Sequence, residues 1–100
     1  MKDILSKLNK AFENRLRLGI MSVLIANEQA DFLFLKEHLK ATDGNLASHT
    51  NSLEKLGYLS IEKKFVGKKP KTIFHLTEEG RKAFTDHLNA LEELIKNPYK

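Results

Sequence analysis

Residues 31–57 read DFLFLKEHLKATDGNLASHTNSLEKLG. Asp31 suits an N-cap, because its carboxylate accepts from the open N–H groups of a helix's first turn. Phe32, Leu35 and Leu39 then fall on one side at helical spacing, which predicts a short helix ending at Leu39 or Lys40. The polar run Ala41-Thr42-Asp43-Gly44-Asn45 breaks it, and Thr42 caps a second helix from about Asp43 to Leu56. Gly57 follows, in the position where a left-handed residue closes a helix. Two short helices joined by a tight turn have the spacing of a helix-turn-helix.

The second helix decides what that unit does. With Leu46 pointing inward, Thr50, Leu53 and Leu56 lie near it at ~100° per residue. The opposite face carries Gly44, Asn45, Ser48, Asn51, Ser52 and Lys55, with His49 at the border. That face holds no acid and no bulky apolar group. Short hydrogen-bonding side chains with one cation suit the major groove of double-stranded DNA, where Asn pairs with adenine edges, and Ser and Lys reach bases or phosphates.

From Tyr58 the period changes to two. Leu59 and Ile61 alternate with Ser60 and Glu62, and Lys63 and Phe65 extend the strand. Val66-Gly67-Lys68-Lys69-Pro70 reads as a turn, and Thr72-Ile73-Phe74-His75-Leu76 as a returning strand. Between Tyr58 and Leu76 stand five lysines and one acid, so this hairpin alone carries a charge equal to the chain's net +4. Lys63, Lys64, Lys68, Lys69 and Lys71 would hold phosphates, giving affinity and salt dependence, while Asn45, Ser48, His49 and Ser52 would specify sequence.

Flanking this centre are three further helical patterns. Ile4, Leu5, Leu8 and Phe12 share one face of a helix over about 3–12. Asn14 caps a helix from about Arg15 to Ala26, with a stripe of Leu16, Ile20, Val23 and Leu24; Gly19 in its middle predicts a close contact. Asn27-Glu28-Gln29-Ala30 reads as a connector. Thr77 caps the last helix, over about 78–96, with Glu78 and Glu79 in its first turn, where negative charge suits the helix dipole. Its seam is Phe84, Leu88, Leu91 and Ile95. Glu78–Lys82 and Glu92–Lys96 are favourable pairs four residues apart, and Pro98 stops the helix. The two terminal helices predict a homodimer interface of Leu5, Leu8, Phe12, Phe84, Leu88, Leu91 and Ile95; a seam of this kind also packs inside a monomer.

Composition bounds the rest. One hundred residues, 41% hydrophobic and 30% charged, make one globular domain. There is no cysteine, hence no disulfide, thiolate metal site or cysteine nucleophile. The sequence calls for no cofactor, metal or membrane, and predicts a cytoplasmic protein: there is no signal-like start and no run near the ~18 apolar residues of a span. His38, His49, His75 and His87 are scattered, and Asp86-His87 lacks a partner set at ligand spacing. No glycine-rich phosphate loop or nucleophile–base pair supports an enzyme. No effector pocket is legible.

The chain resembles winged-helix transcriptional regulators of the MarR/ArsR-like kind, closest to the short members. The resemblance rests on Asp31 to Lys36, Asn45 to His49, Leu53 to Leu59, Gly67 to Thr72 and Leu76 to Arg81, and covers nearly the whole sequence. Thr50 departs from the family's usual leucine. The resemblance implies a mainly α fold with a small β-hairpin wing (α+β), a helix that reads the major groove, and terminal helices that dimerise. Two rival readings keep the same fold: a protein-interaction module whose basic wing meets an acidic partner, and an architectural binder with little sequence preference.

Overall fold

The computed structural model describes residues 2–96. Its elements are α1 (Lys2–Ser6), a 3-10 turn (Lys10–Phe12), α2 (Arg15–Asn27), β1 (Gln29–Asp31), α3 (Phe32–Leu39), α4 (Asp43–Lys55), β2 (Leu59–Val66), β3 (Lys69–Leu76) and α5 (Glu78–Lys96). The predicted halt at Pro98 lies outside the described residues.

The caps form as their side chains dictate. Asn14 Oδ1 accepts from the N–H of Arg17 at 3.0 Å, Asp31 Oδ1 from Phe34 at 2.7 Å, and Thr42 Oγ1 from Asn45 at 3.1 Å. Each satisfies one N–H that the first helical turn leaves open. Gly57 takes φ 85, closing α4.

Residues 27–30 are not merely a connector. β1 pairs antiparallel with β3, Ala30 opposite Phe74, giving a three-stranded sheet ordered β1-β3-β2. Such a strand has too few residues to show a period; it exists because β3 offers an unpaired edge. The hairpin loop is also tighter than the five-residue turn predicted. β2 and β3 pair from Leu59 with Leu76 out to Val66 with Lys69, leaving only Gly67 and Lys68. Gly67 sits at φ 66, as the first central residue of a type II′ turn requires. Pro70 opposes Phe65, the first pair beyond the one that closes the loop. In that position a residue donates away from its partner, so the missing N–H of proline removes no bond to β2.

The core joins Ile20, Met21 and Leu24 of α2 to Leu35, Leu46, Leu53, Leu59 and Phe74. Thr50 is buried where leucine was usual, and its hydroxyl donates to the Leu46 carbonyl at 2.9 Å, so no polar atom is stranded. Gly19 makes the predicted close approach: a β-carbon there would lie 2.9 Å from a methyl of Leu39. Leu56 departs from the inward stripe and is exposed, because it lies past the last turn of α4.

The first helix is not continuous over 3–12. The chain leaves α1 after Ser6, and Asn9 then caps the 3-10 turn through Oδ1, which accepts from Ala11 at 2.9 Å. Its N–H donates to Nδ1 of the buried His87 (2.9 Å), and its amide donates to the Tyr58 hydroxyl (3.0 Å). Those partners come from β2's approach and α5, and they outweigh helical continuation. Phe12 consequently turns inward, 5.1 Å from Phe84 in an edge-to-face pair. On α5, Lys82 pairs with Asp86 at 2.8 Å rather than with Glu78, while the Glu92–Lys96 pair forms at 3.3 Å.

α5 begins at a junction of unusually close backbone. Thr77 Oγ1 accepts from the N–H of Gly80 at 2.9 Å and donates to the Gly57 carbonyl at 2.6 Å. A β-carbon on Gly80 would overlap the carbonyl oxygen of Tyr58 and lie 2.7 Å from its carbonyl carbon. Neither is a flexible side-chain tip. Gly80→Ala is therefore expected to destabilise by ~1–3 kcal/mol or more in urea or thermal unfolding. Gly44→Ala, where nothing lies within 4 Å, should change stability by no more than ~1 kcal/mol, in the stabilising direction.

Candidate nucleic-acid interface

α4 presents one exposed polar face. Asn45, Ser48, Asn51 and Lys55 are exposed; Ser52 and His49 are half-buried. Asn45, Ser48, His49 and Ser52 follow the spacing of three and four that makes one continuous stripe. Ser52 Oγ donates to the Ser48 carbonyl at 3.1 Å, which occupies its proton but leaves its lone pairs open. Lys36 Nζ reaches Asp43 Oδ1 at 2.7 Å, tying α3 to the first turn of α4 and masking the acid next to the stripe.

His49 is held from behind. Arg17 on α2 donates from Nε to His49 Nδ1 at 2.9 Å. Burial, and then the Arg17 guanidinium, hold the imidazole below its ordinary value of 6.5. Arg17 was missed by sequence reasoning, being 32 residues away on a different helix. Arg15 and Lys40 were missed as well. With His38, Thr42 and Asn45 they line an open groove of about 580 Å³ beside the start of α4. The only sequence signal was cationic character near the two caps.

All five hairpin lysines are exposed, but the register separates them. Alternation places Lys63 and Phe65, opposite Thr72 and Pro70, on the face that Leu59, Ile61 and Phe74 turn to the core. Lys63 and Thr72 line a small cleft of about 170 Å³ with Ala47 and Asn51 of α4. Lys64, Lys69 and Lys71 lie on the other face, and Lys68 at the tip. Lys71 Nζ stands 3.6 Å from Asp31 Oδ2, which steadies the hairpin against the α3 cap. His75 Nε2 meets Glu62 Oε1 at 2.8 Å and holds that carboxylate below its ordinary range.

The residues expected at a dimer interface divide. Phe12 and Phe84 are each 2% exposed and belong to the chain's own core, so they are corrected out of that surface. Leu8 and Leu91 are half-buried. Leu5, Leu88 and Ile95 are exposed, at 54%, 43% and 77%. Among the described residues no group of three or more His, Asp or Glu is placed to hold a metal ion, and no helix is long and apolar enough to cross a membrane.

A capped helix-turn-helix, a basic two-stranded hairpin and a closing helix define a winged helix. The chain belongs to the winged helix DNA-binding domain family, whose model matches residues 16–95. It is similar to a transcriptional regulator homologue from Pyrococcus horikoshii OT3, at 29% identity and a TM-score of 0.85, over 99% of this chain and 96% of that one. An uncharacterized protein of Methanocaldococcus jannaschii is 36% identical over 88 residues, covering 88% of this chain and 96% of the relative. The fold is shared with reduced AbfR bound to DNA, at 17% identity and a TM-score of 0.71 over 90% of this chain and 72% of that one.

The His49 environment has a measurable consequence. A histidine kept neutral in the fold but free to protonate when unfolded makes the unfolded chain bind more protons. Stability attributable to this group is present above the ordinary 6.5 and falls on acidification below it. His49→Gln should flatten that part of the stability–pH profile, measured by urea unfolding across mildly acidic to neutral pH.

Proposed function

We propose that this chain acts as a homodimeric transcriptional regulator that binds double-stranded DNA in a sequence-specific way. The observation that carries this reading is the cleft in which Lys63 and Thr72 of the hairpin meet Ala47 and Asn51 of α4, which sets the wing directly beside the helix that bears the polar stripe. Asn45, Ser48, His49, Asn51 and Ser52 offer donors and acceptors to base edges, with Lys55 at the end of the same face. Lys63, Lys64, Lys68, Lys69 and Lys71 grip the backbone, Lys63 from the α4 side and the others from the tip and far face of the wing. Arg15 and Lys40 add cations beside the start of α4, where open N–H groups also favour a phosphate.

The homodimer reading rests on the surface left around α1 and the second half of α5. Leu5, Leu88 and Ile95 expose apolar area there, with Leu8 and Leu91 half-buried beside them. A two-fold dimer through these helices would set two copies of α4 ~34 Å apart, one turn of the duplex. Against the rival of a protein-interaction module stands the α4 face. An acidic protein partner would meet the lysines but would have no need for a continuous stripe of amides and hydroxyls. Regulation in the cytoplasm, with no cofactor and no catalytic step, follows from the same reading.

Selection from random duplexes is the direct test. A pseudo-palindromic motif is expected; recovery of duplexes with no enriched motif would leave only an architectural binder. Changing Lys68 and Lys69 together to Glu should weaken binding to every sequence and reduce the salt slope by up to ~2. An unchanged slope would remove the wing from the contact. Leu88→Glu should shift the sedimentation profile to monomer, because the interface would have to bury a charge; an unshifted dimer would refute these helices as the interface.

A further inference from the structure

From the Arg17–His49 contact we infer that Arg17 is a positioning residue that fixes the tautomer of His49, so that α4 offers the duplex a hydrogen-bond donor and the chain selects an acceptor-rich base edge, guanine above the others, at that position. The inference rests on the DNA-binding reading above and adds to it a named base class.

A guanidinium nitrogen has no acceptor capacity, so in the 2.9 Å contact Arg17 Nε donates and His49 Nδ1 must present its lone pair. A neutral imidazole carries one proton, and with Nδ1 accepting, that proton sits on Nε2. The two nitrogens point to opposite sides of the ring, so Nε2–H is directed away from Arg17. No hydrogen bond to Nε2 forms within the described residues. His49 itself lies in the stripe of Asn45, Ser48 and Ser52, and its ring is half-buried, which restricts the directions in which it can swing. The ring's second nitrogen is therefore a single N–H donor with no partner among the described residues.

In the major groove a donor discriminates. Guanine presents two acceptors, N7 and O6; adenine presents N7 beside its own amino donors; thymine presents O4; cytosine presents only donors. Without Arg17 nothing holds Nδ1 as the acceptor, so the Nδ1–H tautomer becomes accessible and the same position can also accept from cytosine or adenine. Arg17 thus acts through His49. Its remaining guanidinium nitrogens stay available to a phosphate, a separate contribution that affects all sequences alike.

The test has two arms. In the free protein, nitrogen NMR of the labelled imidazole reports which ring nitrogen carries the proton. Wild type is expected to show His49 protonated at Nε2, and Arg17→Met to show a mixture of tautomers. His49 protonated at Nδ1 in wild type, or a tautomer unchanged in Arg17→Met, overturns the positioning role. In the second arm, selected-site sequencing compares wild type, Arg17→Met, His49→Ala and His49→Gln. Wild type should enrich guanine at one position of each half-site. His49→Ala should relax that position by about ten-fold or more, Arg17→Met should relax it to a smaller but measurable extent, and both should leave the other positions intact. His49→Gln should retain the preference, since its amide accepts from Arg17 and still donates outward. An equal loss across all sequences in Arg17→Met, with the guanine preference kept, would reduce Arg17 to a phosphate contact and overturn the inference. If the tautomer is fixed as stated but no duplex motif emerges from wild type, the DNA-reading role falls together with the proposed function, whereas a motif lacking guanine specificity sinks this inference alone.

Discussion

The hydroxyl of Thr77 holds the molecule in its working shape. It accepts from the Gly80 N–H and donates to the Gly57 carbonyl, joining the first turn of α5 to the residue that ends α4. Around it the backbones come so close that Gly80 admits no side chain against Tyr58. One hydroxyl thereby fixes two directions, that of the closing helix and that of the strand leaving α4. The wing's position beside the polar face follows from the second, since β2 starts two residues after Gly57. The disposition of α5's exposed apolar residues follows from the first. A neutral hydrogen bond of this kind has a net value of only ~1 kcal/mol. Its importance is geometric, because it is made at a junction where the two backbones are in direct contact, the Thr77 N–H also reaching the Tyr58 carbonyl at 3.4 Å.

The helix-turn-helix was legible because its determinants are local. Asp31, Thr42 and Thr77 each cap the helix that starts at the next residue by accepting from the N–H three residues on, and Gly57 needs only its own φ. What was not legible depends on distance in sequence. β1 exists through pairing with a strand more than forty residues later, which no three-residue pattern announces. The break after Ser6 is set by Asn9 reaching His87, 78 residues on. Phe12 and Phe84 show a different limit: a spacing of three and four identifies a buried face but not whether the chain itself or a second copy buries it. Of the candidate site, the exposure of the polar stripe on α4 and of the wing lysines was readable from periodicity and charge. Arg17 was not, because nothing in α2's pattern indicates that its guanidinium reaches back to a histidine on α4.

The division of roles proposed for helix and hairpin also matches how each is held. α4 is anchored on several sides at once, by its Thr42 cap, the Lys36–Asp43 pair and the buried Leu46, Thr50 and Leu53. Beyond the buried Ile73, which pairs with Asp31 of β1, the hairpin runs out through its own register and the Lys71–Asp31 pair to a two-residue loop, and every residue from Glu62 to Lys71 is exposed. A base-edge hydrogen bond requires its donor to sit within tenths of an ångström, since the interaction weakens steeply outside a narrow range of distance and angle. Attraction between a lysine and a phosphate falls only as the inverse of distance before screening, so it tolerates a moving partner. The polar stripe therefore belongs on the rigid element and the cations on the compliant one. The reverse arrangement would blur any sequence preference without strengthening the grip, and the Arg17 contact behind His49 extends the same logic to the orientation of a single ring.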